Sequence, residues 1–267
     1  MTSILAGLGR NAPALSGLNF PGNDGVTTTM RFSFTDPQDD GLPLRGTVGD
    51  GLTYIWKAKY AAQTGQPGYY TCFFYSDDSN WFDGGGKGDG YGFHPYPVDS
   101  NGDGDSTELN RQIHSIADGS DWPQGQSFWE DYLVAYDTWY THVVRIDNQS
   151  SGDCDYNFYP DYEVDDTLLL TRNNTSTGAP VNPVLAWGDA PHSEGNEVMS
   201  GVLRDIRVYD TLLSLADIDL EIAAVTSSGT TPWYYKTNPT PTDIADESGN
   251  GNDPAWIGAE RPTLWET

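Results

Sequence analysis

The run Gly201–Ala224, GVLRDIRVYDTLLSLADIDLEIAA, constrains the fold of this chain more than any other stretch. Ile206 and Val208 fall on one parity and Asp205 and Arg207 on the other, the alternation of a half-buried β-strand. Leu203 breaks that parity, which a β-bulge before Asp205 would restore. Tyr209-Asp210 then turns the chain. Ser214, followed three residues later by Asp217, reads as a helix start: a capping box with Asp in the place usually held by Glu. Leu215, Ile218 and Ile222 fall at i, i+3 and i+7, one apolar stripe on a short helix ending near Glu221-Ile222.

Composition extends this to the whole chain. Its 267 residues exceed the ~150 usual for one domain, yet all-β sandwiches of about 200–250 residues are ordinary. Hydrophobic residues make up only 37 %, while nine Trp and sixteen Tyr supply an aromatic core between turns rich in Gly and Pro. Long helical patterns are absent. Residues 1–25, rich in Gly, Pro and Asn with no clear period, are expected to form an irregular N-terminal arm, and residues 26–267 a single domain.

The net charge of −26, from 39 acidic and 13 basic residues, repels phosphate backbones and argues against nucleic acid as a partner. It suits either divalent cations or a solvated acidic coat in a salty environment. No stretch approaches the ~18 apolar residues of a membrane span. The N-terminus lacks a basic region followed by an apolar one, so no signal peptide is expected. The chain would then be made in a host cytoplasm and, if it acts outside, leave by lysis, by assembly into a particle or by a route that uses no such signal. Two cysteines, Cys72 and Cys154, are too few for a disulfide scaffold; they read as free thiols, the alternative being one disulfide between them.

Strands are expected at Thr27–Phe34, Leu52–Tyr60, Tyr69–Tyr75, Arg111–Ile116, Trp139–Asp147, Tyr156–Asp161, Leu168–Thr171, Val184–Trp187, Pro232–Tyr235 and Ala255–Ile257. Ser76–Asp105 reads as one long Gly/Asp loop carrying several aromatics.

The strand, the Tyr, the Leu-Ser pair and the short helix of Gly201–Ala224 resemble the closing segment of laminin-G-like, concanavalin A-type domains. In these, a Gly-x-Ile-Asp-x-Val-Arg-Ile-Tyr strand leads into a Leu-Ser-x-x-Glu-Ile turn. Trp139–Val143 is similar to the Trp-x-His-Val strand of that family, Val184–Gly188 to its Leu-x-Ile-Gly strand, and Asp246–Asn252 to its Asp-x-Ser-Gly-Asn-Gly loop. Tyr156–Asp161 departs from the pattern by lacking a Gly. The resemblance covers roughly residues 139–252 and implies an all-β, concanavalin A-like jelly-roll β-sandwich with one short C-terminal helix.

Three constellations could carry function. Asp99, Asn101, Asp103 and Asp105, with Gly104 between the last two and Glu108 beyond, place oxygen ligands as the opening of an EF-hand calcium loop does. Position 12 is Asn110 instead of the bidentate Glu, and no helices flank the run. It reads either as a non-standard calcium loop, with calcium as the cofactor, or as a solvated acidic turn. Trp81, Tyr91, Tyr96, Trp187, Asp189 and His192 mix rings that stack on sugars with groups that bond hydroxyls; the alternative is that these rings fill the core. His114 and Tyr235 are the acid/base candidates of a polysaccharide lyase, but the motifs around them are incomplete. The paired-carboxylate triplet of glycosidases with this fold does not occur.

The runs Tyr69–Phe74, His94–Pro97, Trp187–Pro191 and Asn196–Val198 resemble laminin-G-like proteins encoded by tailed phages, thought to lie on the virion surface. The leading expectation is a non-enzymatic, lectin-like protein displayed on a particle surface, a phage head-decoration or tail-associated virion protein. Its partners would be other virion proteins, further copies of itself, and glycans. The rival expectations are a soluble lyase or glycoside hydrolase of the same fold and a stand-alone carbohydrate-binding module.

Overall fold

The computed structural model describes residues 15–22, 29–35, 51–61, 72–76, 90–98, 108–116, 126–150, 153–166, 170–175, 184–189, 198–223 and 229–267. These form fifteen strands and one helix. One sheet holds β1 (Ser16–Pro21), β3 (Gly51–Tyr60), β8 (Trp139–Ser150), β9 (Asp153–Tyr159), β10 (Leu170–Thr175), β12 (Ser200–Tyr209), β13 (Tyr234–Lys236) and β15 (Thr263–Glu266). Its order is β10-β9-β8-β3-β12-β1-β15, with β13 also paired to β12. The other sheet, in the order β14-β2-β11-β4-β5-β6-β7, holds β2 (Arg31–Thr35), β4 (Phe73–Ser76), β5 (Gly90–Val98), β6 (Glu108–Ile116), β7 (Gln126–Val134), β11 (Val184–Trp187) and β14 (Ala255–Ile257). Every pairing is antiparallel, and the two sheets face one another as a jelly-roll sandwich.

Period-2 alternation fills the space between the sheets. Leu52, Tyr54, Trp56, Ala58 and Tyr60 of β3 point inward with Tyr140, Val144 and Ile146 of β8, and meet Phe32 and Phe34 of β2 and Leu185 and Trp187 of β11. Phe32 and Trp187 stack with centroids 5.4 Å apart and planes 11° from parallel. Cys72, the first described residue before β4, is a free thiol packed beside Trp56 and Tyr60, and burial pushes it up to about 12.

β12 carries the bulge that its sequence demands. The register against β3 shifts between Arg204 and Arg207, and Asp205 sits at φ +49°. The extra residue lets Leu203 and Ile206, of opposite parity, both reach the inner core. The helix α1 (Leu215–Ala223) starts as a capping box: the Asp217 amide donates to Ser214 Oγ at 3.1 Å, and that hydroxyl donates to Asp217 Oδ2 at 2.6 Å. Its buried face is not the expected stripe. Ile218 and Glu221 are buried and Ile222 packs against them, whereas Leu215 is 38 % exposed. Glu221 takes an inward place because Arg207 and Tyr209 supply its partners.

Three other expectations change. Residues 16–21, assigned to an irregular arm, form β1, hydrogen-bonded between β12 and β15 with Leu18 and Phe20 in the core. The expected long loop contains β5, which pairs with β4 and β6. β2 is buried on both faces, since Arg31 and Ser33 are covered as well as Phe32 and Phe34. Among the described residues no helix is long and apolar enough to cross a membrane.

Candidate functional site

The outer face of the eight-stranded sheet, turned away from the core, divides into two halves. On one, Ile55, Val143, Tyr159 and Tyr209 point out of the sheet and are covered by Tyr162, Leu213 and Ile218, a second small core under α1. Polar bonds fasten this cover. Thr53 Oγ1 bonds the backbone of Thr211 and Leu213, Arg145 Nε donates to the Leu213 carbonyl at 2.9 Å, and Tyr162 donates to the Leu215 carbonyl and Asp219. Arg207, 4 % exposed, pairs with Asp205 at 2.9 Å and Glu221 at 3.6 Å and lies 5.1 Å from the Tyr235 ring.

The other half is open. Lys59 of β3, Trp139 of β8 and Arg204 of β12 each follow or precede a core residue and so point outward. From the far edge, Trp265 of β15 joins them, its β1 partner being Gly17. Gly17 has no side chain to block the path: a Cβ there would stand 3.4 Å from Arg204 Cβ. The result is a cradle of two rings and two cations, all half-exposed. The Trp139 and Trp265 rings meet edge to face with centroids 5.1 Å apart and planes at 68°. Lys59 Nζ lies 5.8 Å from one ring and 5.4 Å from the other, and the Arg204 guanidinium lies 4.4 Å and 5.9 Å from them. Each such contact holds a cation in place for about 0.5–2 kcal/mol.

Neither cation of the cradle makes an ion pair among the described residues. Arg204 Nε is buried without a hydrogen-bond partner there, and burial pulls the guanidinium below its usual value against the raising effects of Asp205 and Glu163. Both of those carboxylates are engaged elsewhere. Asp205 pairs with Arg207, and Glu163 accepts from Lys57 at 2.7 Å and from Thr141. Half-exposed tryptophans beside uncommitted donors form a surface that can take a sugar ring and a charged substituent.

None of the residues expected from sequence is among the four of the cradle. Trp187 is 0 % exposed and stacked on Phe32, and Asp189 is likewise 0 % exposed, so neither presents a surface to a sugar; the core reading holds for this ring. Trp81 and His192 lie outside the described residues, as do Asp99, Asn101, Asp103 and Asp105. Tyr91 and Tyr96 are placed on β5, opposite Tyr75 and Ser115 in one case and Asn110 in the other. Glu108 opens β6 opposite Val98, so the candidate calcium run joins two strands of a hairpin. That differs from the helical flanks of an EF-hand, and Asn110 sits inside the ladder. No group of three or more His, Cys, Asp or Glu residues suited to a metal occurs among the described residues. His114 lies on β6 of the seven-stranded sheet, whereas Tyr235 faces Arg207 on the outer side of the eight-stranded sheet, so the sheet itself separates them. The signal that could have found the cradle was parity, for Trp139 is out of phase with Tyr140 and His142.

No protein-family model matches the chain, and no curated protein matches it in sequence. In structure it is similar to the native heptameric SAP-like pentraxin of Limulus polyphemus, with a TM-score of 0.53 and 14 % identity over 94 % of each chain. Lower similarity is found to the enzymatically active domain of tailspike protein 2 of bacteriophage CBA120, with a TM-score of 0.45 and 12 % identity over 73 % of this chain and 28 % of that one. The alginate lyase Aly36B gives a TM-score of 0.39 at 14 % identity, over 73 % and 88 % of the two chains. The pentraxin match, spanning nearly all of both molecules, establishes the fold: an all-β jelly-roll sandwich of the concanavalin A-like kind.

Proposed function

We propose that the chain is a non-enzymatic, lectin-like jelly roll that binds glycans through the open half of its eight-stranded sheet. The observation that carries this reading is the Trp139–Trp265 pair, two large rings held half-exposed on a sheet face while most of the other described aromatics are in the core. Rings placed in this way present apolar faces to the C–H side of a pyranose, and the cations beside them bond its polar substituents.

The particle setting is part of the same proposal and rests on the resemblance of the runs at 69–74, 94–97, 187–191 and 196–198 to phage-encoded laminin-G-like proteins. The chain would be a head-decoration or tail-associated protein, in contact with other virion proteins or with copies of itself. The Asp99–Glu108 run, joining β5 to β6, would add a calcium ion that orders the hairpin tip.

Three measurements test the reading. Purified protein on a glycan array binds a subset of sugars and releases no new reducing ends or unsaturated products from the corresponding polysaccharides; product formation would replace the lectin by an enzyme. On purified particles of the source phage the chain is present in a fixed copy number, and its absence from them would remove the virion setting. At 10 mM calcium against chelator, a millimolar site would raise stability by about 1.4 kcal/mol, a rise of a few degrees in Tm.

A further inference from the structure

We infer that the ligand of the Trp139–Trp265 cradle is an anionic glycan, one whose sugar rings carry carboxylate or sulfate groups. This inference rests on the glycan-binding reading above and adds to it the charge of the ligand.

The argument starts from the distribution of charge. The chain has 13 basic residues against 39 acidic ones. Three of those basic residues, Lys57, Lys59 and Arg204, nevertheless converge on one half of one sheet face, where Lys57 stands opposite Arg204 in register and Lys59 opposite Trp139. Lys57 is neutralised by Glu163. Lys59 and Arg204 make no ion pair among the described residues, although the protein has acidic residues in threefold excess. Instead they are held against tryptophan rings, which position a cation without neutralising it.

Arg204 supplies the directional element. Its guanidinium stands 4.4 Å from the Trp139 ring centroid, and it makes no hydrogen bond among the described residues. A guanidinium held beside an aromatic ring offers a paired fork of N–H donors, the arrangement that takes a carboxylate or sulfate through two parallel bonds. Lys59, 5.4 Å from the Trp265 centroid, adds a point charge beside the same rings. The nearby carboxylates of Asp205 and Glu163 are already bonded to Arg207 and to Lys57 with Thr141, so they do not compete for either cation.

The net charge of −26 does not contradict this. At physiological ionic strength the Debye length is about 8 Å, so a bound sugar responds to the charges lining the cradle and only weakly to the distant acidic surface. The same overall charge favours a spaced anion, with one charge per sugar ring, over a nucleic acid with its denser row of phosphates.

The test measures affinity of the full chain for alginate, dextran sulfate, unmodified dextran and oligo(dT) at fixed 0.15 M salt. Arg204→Gln and Lys59→Gln are run beside the wild type, with circular dichroism confirming the fold of each. The expected result is binding to alginate or dextran sulfate at least tenfold tighter than to dextran or oligo(dT), and a roughly tenfold loss in each variant, equivalent to about 1.4 kcal/mol. Dextran bound as tightly as the charged polymers would overturn the inference and leave the lectin reading standing. Binding to none of the polysaccharides, here or on the array, would overturn both. Tightest binding to oligo(dT), or variants that bind alginate like the wild type, would also remove the assignment.

Discussion

Arg204 places its guanidinium 4.4 Å from the ring centroid of Trp139, although β3 runs between the strands that carry them. Trp265 reaches the same ring from the opposite edge of the sheet, across β1, β12 and β3. Side chains from strands so far apart meet across the outer face of a twisted sheet, where Gly17 leaves the path open. The cradle is therefore a product of sheet geometry, with little local sequence signature.

The β3–β12 ladder underlies that geometry, and Gly201 is its tightest point. The residue sits at φ +133°, and a Cβ there would lie 2.1 Å from the Lys59 carbonyl oxygen. Gly201→Ala is expected to cost about 3 kcal/mol or more, since backbone must separate from backbone in the centre of a sheet. Gly249, at φ +91° with nothing within 4 Å of a built Cβ, is the control: Gly249→Ala should cost about 1 kcal/mol. Urea unfolding midpoints compare the two, and equal losses would refute the packing argument.

Arg207 is the pin between β12 and α1. It is buried with Asp205, Glu221 and the Tyr235 ring, and Tyr209 donates to Glu221 at 2.8 Å. Burial and that bond push the Tyr209 phenol well above its usual value, so it remains a donor at any working pH. Arg207→Ala takes the cation away from buried Glu221 and should lower stability by about 3–5 kcal/mol, while a double change to Arg207→Met with Glu221→Leu restores much of it. Chemical denaturation of the three proteins gives the order directly. A loss under about 1 kcal/mol in the single variant would show that the pair is dispensable.

Lys236, 3 % exposed, sets the pH window of the C-terminal loop. Its Nζ donates to Asp243 at 2.8 Å and Glu247 at 3.0 Å. The bond from Lys236 holds the Asp243 carboxyl below the usual carboxylate range. For Lys236 itself burial acts downward, but the two carboxylates outweigh it and the ammonium value rises. A depressed carboxylate favours the fold above its unfolded value of about 3.9 and ceases to do so as pH falls through the folded value; a raised lysine favours it below about 10.4 and ceases to do so as pH rises past the folded value. The expected outcome is that the Tm of Asp243→Asn falls less steeply than that of the wild type between about pH 5 and pH 3. Parallel curves would mean that the pair contributes nothing to acid sensitivity.

Legibility in the sequence followed the strength of the local period. β3, β11 and β14 stand where alternation or an apolar run placed them, and the bulge and capping box of 203–217 were readable because each is a departure or match within a few residues. β1 and β15 were missed because each is short and lies at a sheet edge or near a terminus, where only Leu18 and Phe20 mark the buried face of one and nothing marks the other. β5 was lost in a Gly/Pro-rich run whose ladder partners, not its own propensity, make it a strand. Leu215 misled because an i, i+3, i+7 stripe cannot foresee that a glutamate will be drawn inward by an arginine on a neighbouring strand.

The candidate site was hidden for a related reason. Trp187 drew notice as an aromatic near acidic residues, yet its place in β11 between β2 and β4 makes it core. Trp139 and Trp265 are 126 positions apart, and the strand order of the sheet brings them together.

The most direct test of the account is the affinity of the best array glycan for Trp265→Ala, measured by calorimetry beside the wild type. Trp265 sits on the four-residue edge strand β15, so the variant should keep its fold, with a Tm within a few degrees of the wild type. The account predicts at least a tenfold loss of affinity at unchanged stoichiometry. Unchanged affinity in a folded variant would contradict it and move the binding surface away from this half of the sheet.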